Sequence, residues 1–498
     1  MRRRILFTVA ATATLIAVLM LTACIGGSAP KPVAPEITAD GSGGAIIVWS
    51  AGKGARVQRI DSQGNRLWGS EGRQIYSYSK HPVGPLAAGD DKGGAILAWT
   101  DENPTSEEIP QWGIYVQRLD AEGNVVWPEG GISISAGPFD VNHSQVEMIT
   151  ESLIGLINDG ASGAILLWYN EIQTGDSWKT TMHAQRINAD GGCLWGEQGI
   201  QICGTSPDPR WAKLISDGSG GAVVVWEDNR GPDTDIYAQR ISSDGRLLWP
   251  DTGIPVANAS NAQLSPQIVS DGLGNFIVVW IQSPGLSYHV GDADIYAHKI
   301  NSNGESLWSD GKGVPVCTAA GSQEHPQVAS DGSGGCIVVW HDTRNRPNRD
   351  AYAQRLNSEG KVLWETDGVL VGEIPGVDKS SVEAGSYDVQ VAGDGAGGAI
   401  IVWQVAPTSA TTGAFRDAQI YAQRLGPDGE KVWAEVTRVY DNPSLKSQAY
   451  SGIVSDDAGG VIIGSTVGKG QWPDLVYAQR VDLDGNRLWV AEGIRLNP

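Results

Sequence analysis

The sequence predicts an all-β protein built as an eight-bladed β-propeller, with about four antiparallel strands in each blade. Three observations support this fold class. The 498 residues include 65 glycines and 19 tryptophans but only 4 phenylalanines, a composition that favours turns over long helices. One sequence unit recurs eight times along the chain. Two segments inside each unit keep a constant length, whereas the connections between them vary.

The repeated unit contains three blocks. In the fourth copy they read DGSGGAVVVW at 217–226, DIYAQR at 235–240 and DGRLLW at 244–249. The first block begins at an aspartate in every copy, and the other seven are Asp40, Asp90, Asp159, Asp271, Asp331, Asp394 and Asp456. The last block ends at a tryptophan in every copy, at Trp68, Trp127, Trp195, Trp249, Trp308, Trp364, Trp433 and Trp489. A spacing of about 60 residues suits one supersecondary unit per copy.

Each segment of constant length is expected to form a β-hairpin. In the sixth copy, a glycine-rich turn at 331–335 leads into the apolar run 336–340, which suits a strand covered on both faces. The second hairpin runs from a strand at 351–356 through a turn at 357–360 into a strand at 362–364. Glycine in these turns permits the positive φ that tight turns require.

Eight four-stranded units predict a closed ring of blades rather than an open solenoid, whose repeats are usually shorter and end in a polar capping unit. The phase of the repeat predicts blades made of contiguous sequence, and a strand exchanged between blades 1 and 8 is the alternative. Alternate connections of antiparallel strands emerge on opposite faces. The turns of constant length therefore share one face, and the connections of variable length share the other, where we expect binding to occur.

Fifteen of the 19 tryptophans occupy repeat positions, and we interpret them as packing between blades. The eighth copy has Ser465 at the first tryptophan position, so a weaker contact with its neighbour is expected there. The recurrent arginine of the middle block is expected to form a polar contact with the aspartate of its own blade.

The N-terminus resembles a bacterial lipoprotein signal. Arg2, Arg3 and Arg4 precede an uncharged apolar segment at 5–23, which ends in Leu-Thr-Ala before Cys24. This resemblance implies a signal peptide at 1–23, a lipid on Cys24, a flexible tether at 24–34 and a propeller at 35–498. An uncleaved signal anchor is the alternative. Both interpretations place the protein outside the cytoplasm, on the cell membrane or the outer membrane.

The net charge of −21, which becomes −24 without the three arginines, argues against nucleic acid as a partner. Four cysteines remain after Cys24, namely Cys193, Cys203, Cys317 and Cys336. An even number in an exported protein permits two disulfides, and the alternative is four small buried residues in strands.

The DGSGGAIVVW, YAQRL and DGxxLW blocks resemble a bacterial family of exported repeat proteins, which implies a propeller and an extracytoplasmic location but no activity. The segments 120–127 and 482–489 are also similar to the docking pattern of quinoprotein-like eight-bladed propellers. Quinoprotein alcohol dehydrogenases typically add an adjacent cysteine pair, which this sequence lacks, so no cofactor is predicted. An outer-membrane assembly lipoprotein of the same architecture is the more relevant relative.

The candidate binding residues lie in the variable segments. Four tryptophans fall outside the repeat positions, at Trp112, Trp178, Trp211 and Trp472, and exposed indoles can stack on sugar rings or anchor a protein. The alternative is that they cap their own loops. Arg230 lies in an acidic and basic loop at 227–235, and Arg344 and Arg346 lie in another at 341–350. These arginines are candidate ligand contacts, and pairing with aspartates within each loop is the alternative.

No catalytic residue and no metal site is predicted. The seven histidines form no HxH or HExxH motif, although one hairpin could bring His325 and His341 together. We therefore predict a lipid-anchored propeller that binds a carbohydrate or an envelope protein through its variable-loop face. Two alternatives stay open: an enzyme acting on extracellular polysaccharide, of the glycoside hydrolase or lyase type, and a purely structural envelope protein.

Overall fold

The computed structural model contains eight four-stranded antiparallel sheets, each made from four consecutive strands, which confirms the predicted eight-bladed β-propeller. Every blade is therefore contiguous in sequence, with no strand exchanged between blades 1 and 8 in the part of the chain that is described. The structure describes residues 35–51, 54–76, 83–102, 112–134, 148–175, 177–204, 209–285, 292–308, 312–345, 349–372, 384–407, 418–441, 448–467 and 475–497. Among these residues no helix is long and apolar enough to cross a membrane. The predicted anchor residue, Cys24, lies outside the described residues.

The strands of blades 1 to 4 are β1 (Glu36–Ala39), β2 (Ala45–Ser50), β3 (Gly54–Ile60), β4 (Arg73–Tyr76), β5 (Val83–Gly89), β6 (Ala95–Glu102), β7 (Trp112–Leu119), β8 (Ile132–Ser133), β9 (Met148–Asn158), β10 (Ala164–Thr174), β11 (Ser177–Ile187), β12 (Ile200–Gln201), β13 (Arg210–Ser216), β14 (Ala222–Asp228), β15 (Asp235–Ile241) and β16 (Ile254–Ala257).

The strands of blades 5 to 8 are β17 (Ala262–Ser270), β18 (Phe276–Ser283), β19 (Asp294–Ile300), β20 (Val314–Cys317), β21 (Gln323–Ser330), β22 (Cys336–Asp342), β23 (Asp350–Leu356), β24 (Val369–Leu370), β25 (Ala384–Gly393), β26 (Ala399–Pro407), β27 (Gln419–Leu425), β28 (Thr437–Arg438), β29 (Gln448–Ser455), β30 (Val461–Val467), β31 (Leu475–Val481) and β32 (Ile494–Arg495).

The first strand of each blade contacts the first strands of the two neighbouring blades, so these strands form the inner wall of the ring around a central channel. The ring closes where β1 contacts β29. Ile47 of blade 1 and Ile462 of blade 8 share one apolar cluster there. The last blade therefore packs directly against the first.

The apolar second strands form the core between blades. Every residue of β14 is buried, as its continuous apolar sequence predicts. Val223 and Val225 pack in one cluster with Phe276 and Val278 of blade 5, so each blade covers one face of the next. Burial of these side chains between two sheets is the main stabilising contribution that the fold offers.

The fourth strand begins later than the sequence predicts. The predicted strand at 362–364 contributes only an isolated bridge between Leu356 and Val362, and the fourth strand is Val369–Leu370. The reason is the tryptophan that ends the block. Trp364 is directed toward the next blade, where its Nε1 donates to the carbonyl oxygen of Pro427 at 3.0 Å, so the chain turns before it pairs again.

Blade 8 compensates for its missing tryptophan. In blade 4 the ring of Trp226 lies against Gly253, which directly precedes the fourth strand. In blade 8 the ring of Tyr440 lies against Gly493, the equivalent residue. Tyr440 is fully buried, and its hydroxyl donates to the carbonyl oxygen of Ile463 at 3.0 Å. The structure thus differs from the expected weak contact at Ser465, because a side chain from the preceding connection fills the space.

The four cysteines in the described residues are free thiols. Cys203, Cys317 and Cys336 are buried and Cys193 is partly buried. The structure therefore contains neither of the two disulfides that the cysteine count permits, and it agrees with the alternative of small buried side chains. Burial raises the pKa of the Cys203 thiol to about 11, which keeps it protonated at neutral pH.

Candidate functional site

The two faces of the ring differ in chemistry, and the face with the constant turns is uniform. In blade 4, Asp217 accepts hydrogen bonds from the backbone N–H groups of Ser219 and Gly221 through one oxygen, at 2.8 Å each. Its other oxygen pairs with Arg240 at 2.9 Å. The same aspartate pairs with the arginine of its own blade, or with Lys299 in blade 5, in all eight blades. This confirms the predicted contact within the blade.

The arginine also joins neighbouring blades, which the sequence did not predict. Arg240 donates through Nη1 to the carbonyl oxygen of Ser302 in blade 5 at 3.0 Å. Trp249 donates through Nε1 to the same oxygen at 3.3 Å. The ion-paired guanidinium and the indole thus both contact one turn of the next blade. At the junction of blades 8 and 1, Arg480 and Trp489 share the carbonyl oxygen of Ser62 in the same way.

Glycine is required where each tryptophan lies against the next blade. Gly245 has a φ of +85°, and a Cβ added there would lie 2.6 Å from Cδ1 of Trp195. Only a residue without a side chain allows this approach. The 15 tryptophans at repeat positions are no more than 8% exposed, so their predicted role in packing between blades is confirmed.

The residues at the variable-loop face differ from blade to blade. Seven of the sheets carry a register shift between their first and second strands. In five of them the residue six positions before the leading aspartate has a left-handed backbone, and these residues are Gly84, Trp211, Ser265, His325 and Asp388. Because the first strands line the channel and begin at the variable-loop face, these residues form the rim of the channel there. We call this region the axial mouth.

A left-handed backbone is costly for every residue of this group except Gly84. Trp211 has a φ of 51°, and such a conformation costs about 1–3 kcal/mol for a residue with a side chain. The side chain of Trp211 is 58% exposed, and those of His325 and Asp388 are also exposed. Their strained positions therefore do not serve the core.

A polar side chain from the preceding blade supports several of these bulges. Tyr169 accepts from the backbone N–H of Ala212 at 2.9 Å through its hydroxyl. Glu227 accepts from the N–H of Ser265 at 2.6 Å, and Nε2 of His341 accepts from the N–H of Val389 at 3.2 Å. Each supporting residue directly follows the first tryptophan position of its blade. The same structural task is thus performed by a phenol, a carboxylate and an imidazole.

Burial changes the protonation of two of these supporting residues. It raises the pKa of Glu227 to about 7, against the opposing effects of the Ser265 N–H and Arg210. It lowers the pKa of His341 to about 3, with further lowering by His325 and Arg349. Glu227 therefore titrates near neutral pH, whereas His341 is neutral and accepts through Nε2.

Two opposite charges face each other inside the channel. Glu36 of β1 and Lys213 of β13 interact electrostatically, although blades 1 and 4 are not neighbours in the ring. Their interaction must therefore cross the channel. Burial raises the pKa of Glu36 to about 7, which Lys213 opposes. Lys213 is exposed to the channel but enclosed by its walls, which lowers its own pKa.

The channel wall next to Lys213 consists of amides. The position four residues before the leading aspartate is Gln267 in blade 5, Gln327 in blade 6 and Gln390 in blade 7. All three side chains are half-buried. Blades 5 to 7 therefore present three amide groups side by side, each able to donate and to accept hydrogen bonds.

The predicted tryptophans are placed on the variable-loop face as follows. Trp178 is 42% exposed and lies near the tip of the hairpin β10–β11, whose strands are each 11 residues long. Trp211 lies at the axial mouth in the next blade, and Trp112 is half-buried at the start of β7. Trp472 lies outside the described residues.

The predicted arginine contacts are internal to the protein. Arg230 pairs with buried Asp228 at 2.6 Å, and its guanidinium lies 4.0 Å from the ring centroid of Tyr237. Arg344 pairs with buried Asp342 at 2.6 Å and lies equally close to Tyr352. Both arginines therefore fit the alternative of pairing within the loop. Arg346 lies outside the described residues.

The hairpin β21–β22 brings His325 and His341 together, with ring centroids 5.7 Å apart. No group of three or more metal-ligating side chains occurs among the described residues. The sequence also missed Ser265, Asp388 and Glu227 as neighbours at the axial mouth. The available signal was that the position six residues before each leading aspartate differs between copies, whereas the repeat positions do not.

No family model and no curated protein matches the chain. Solved structures with a similar arrangement include the polysaccharide lyase Uly1, at 10% identity and a TM-score of 0.40 over 80% of this chain and 91% of that one. Another is the α-L-arabinanase of Penicillium chrysogenum complexed with arabinobiose, at 13% identity and a TM-score of 0.32 over 71% and 97%. A third is the GH93 α-L-arabinofuranosidase of Fusarium graminearum, at 12% identity and 0.34 over 58% and 94%. At these values no activity, ligand or residue role is transferred.

Proposed function

We propose that this protein is a binding scaffold, held outside the cytoplasm by a lipid on Cys24, that takes up its ligand through the variable-loop face. One observation carries the proposal. The tryptophans of the repeat are buried, whereas Trp178 and Trp211, which lie on the variable-loop face of adjacent blades, are 42% and 58% exposed. An exposed indole offers a large rigid surface for a ligand at little entropic cost.

The alternative of a purely structural envelope protein is less well supported. Such a protein needs no exposed aromatic residues, and Trp211 could be replaced by glycine at its left-handed position without loss to the fold. The long hairpin β10–β11 also raises Trp178 above the shorter strands of blade 4, which are seven residues long. Both features add exposed aromatic surface where the fold does not require it.

The membrane anchor is tested by lipid labelling in a bacterial host. The full-length protein should incorporate a palmitate analogue and fractionate with membranes. A Cys24→Ala variant should not incorporate the analogue. Membrane fractionation of the full-length protein without labelling would instead support the uncleaved signal anchor, because its apolar segment can hold the chain in the membrane.

The binding role is tested on the full-length protein in detergent by a glycan-array screen and by crosslinking from position 178 to envelope proteins. A Trp178→Ala/Trp211→Gly variant should lose the ligand and keep its melting temperature. The matched control is Leu194→Ala/Leu248→Ala, which removes side chains of 44% and 43% exposure from the same two blades on the opposite face. Equal loss in both variants would contradict the proposal.

An enzyme acting on extracellular polysaccharide is the second candidate. It is favoured by the carboxyl group of Glu36, which is half-buried on the channel wall and whose pKa is raised to about 7 by burial. A carboxyl group that holds a proton near neutral pH can serve as a general acid. Release of reducing ends or of unsaturated products from polysaccharides, abolished by Glu36→Gln, would identify the protein as an enzyme.

A further inference from the structure

We propose that the axial mouth binds an uncharged oligosaccharide, whose end enters the channel beside the indole of Trp211 and the amides of Gln267, Gln327 and Gln390. This inference rests on the proposed binding function and assigns it a place and a ligand class. The site combines the rim positions of blades 4 to 7 with the channel wall below them.

The first argument is the individuality of the rim. At repeat positions this protein uses the same residue in nearly every blade, which is what a shared structural role produces. The rim position six residues before the leading aspartate instead holds Trp211, Ser265, His325 and Asp388 in four consecutive blades. Blade 2 has Gly84 there, the residue that accepts a left-handed backbone without strain. Different side chains kept at a strained position indicate a role outside the fold.

The second argument is direction. In blades 4, 6 and 7 the residues six and four positions before the leading aspartate are exposed or half-buried, whereas the residue between them is buried. The rim and the wall therefore face the same space. An electrostatic interaction between Glu36 and Lys213, which belong to blades that are not neighbours, agrees with this direction of the wall position.

The third argument is charge. Glu36 and Lys213 oppose each other inside the channel, and Asp388 interacts electrostatically with His325 at the rim. The charged side chains at these rim and wall positions thus include both signs, which favours no ligand of one charge over an uncharged one. Three amides and the hydroxyl of Ser265 remain as donors and acceptors, which match the hydroxyl groups of a sugar.

The indole decides between a sugar and other neutral polar ligands. Trp211 is the most exposed tryptophan of the described residues, and it stands at the entrance of a polar channel. A flat aromatic face beside a set of amides suits a sugar ring, which has an apolar C–H face and polar edges.

The test uses full-length protein in detergent and an array of neutral, anionic and cationic oligosaccharides, followed by calorimetric titration of the best neutral binder. Trp211→Gly should weaken binding by about tenfold or more and leave the melting temperature equal or higher, because glycine relieves the left-handed strain. Gln327→Leu should weaken binding several-fold. Gln63→Leu, an exposed glutamine on the opposite face, is the matched control and should bind as wild type.

Three results would overturn the inference: no binding of any neutral oligosaccharide, a preference for charged ones, or wild-type affinity in both Trp211→Gly and Gln327→Leu. The proposed function fails separately. Loss of binding in Trp178→Ala alone, with Trp211→Gly and Gln327→Leu unaffected, would keep a binding scaffold and move its site to the outer hairpin. Crosslinking of one envelope protein at position 178, without glycan binding, would do the same.

Discussion

The two ends of the blades solve the same problem in opposite ways. Each end must join one blade to the next around a closed ring. At the constant-turn end, an ion pair such as Arg240–Asp217 and an indole such as Trp249 recur in every blade, and in six blades the basic side chain and the indole share one carbonyl oxygen of the next blade, as in blade 4. At the variable-loop end, the joining side chain is a different residue in each blade, including Tyr169, Glu227 and His341.

The difference shows which end the fold depends on and which end is available for function. A contact that repeats eight times contributes to closure of the ring at every junction, so a change in it would be felt in the fold. A contact that differs between blades can be exchanged locally. The exposed tryptophans and the strained rim residues lie at this second end, where the repeat imposes least.

The largest expected effect comes from breaking one repeated contact. Arg240→Met should lower the free energy of unfolding by about 3–5 kcal/mol, because it leaves the carboxylate of Asp217, only 2% exposed, without its cationic partner. Urea unfolding monitored by tryptophan fluorescence measures this change. The control is Arg246→Met, which removes an exposed ion pair to Asp244 in the same blade and should have no measurable effect. Equal effects of the two changes would contradict the structural role of the buried, repeated ion pair.

Blade 8 offers a way to sharpen the comparison. Tyr440→Ala should cost about 3 kcal/mol, because Tyr440 fills the space of the missing tryptophan. Ser465→Trp should destabilise the wild type by overpacking but stabilise the Tyr440→Ala variant by restoring the repeat residue. A double-mutant cycle on the free energies of unfolding tests this reversal of sign. Additive effects would show that the two residues do not compete for one space.

The raised pKa of Glu227 predicts that the protein loses stability as the pH rises. Its pKa is raised from 4.5 to about 7 in the folded state, so the folded protein holds the proton more tightly than the unfolded chain. Its contribution is complete below about pH 4.5 and is lost as the pH rises through 7. The free energy of unfolding of Glu227→Gln should therefore exceed that of the wild type by about 2–3 kcal/mol at pH 8. The two values should match near pH 4.5. Exposed Glu359→Gln is the control and should show no such dependence.

The lowered pKa of His341 predicts a smaller loss of stability, which occurs as the pH falls. Its pKa is lowered from 6.5 to about 3, so the unfolded chain binds the proton more tightly. Stability is complete above about pH 6.5 and is lost as the pH falls toward 3. His341→Gln keeps an acceptor for the N–H of Val389. Its free energy of unfolding should exceed that of the wild type by about 1–2 kcal/mol at pH 4.5. Melting curves of both proteins at pH 4.5 and 8 measure this difference. An advantage that persists at pH 8 would point to packing rather than titration.

The sequence alone determined the all-β class, the eight units, the contiguous blades and the buried role of the repeat tryptophans. These properties depend on residues at constant spacing, such as Asp217 and Trp226, which recur in nearly every copy of the repeat. The same reasoning located Trp178 and Trp211 as exceptions to the repeat. It could not find the contact between Arg240 and Ser302, because the partner belongs to the next copy.

Only the tertiary structure decided how the channel is built. Glu36 and Lys213 are far apart in the sequence, and they interact because closure of the ring brings the first strands of blades that are not neighbours around one channel. The rim residues Ser265, His325 and Asp388 likewise come together through three separate blades. The strands and turns of one blade depend on residues that are close in the sequence. The site at the axial mouth depends on closure of the ring, which cannot be read from a single repeat.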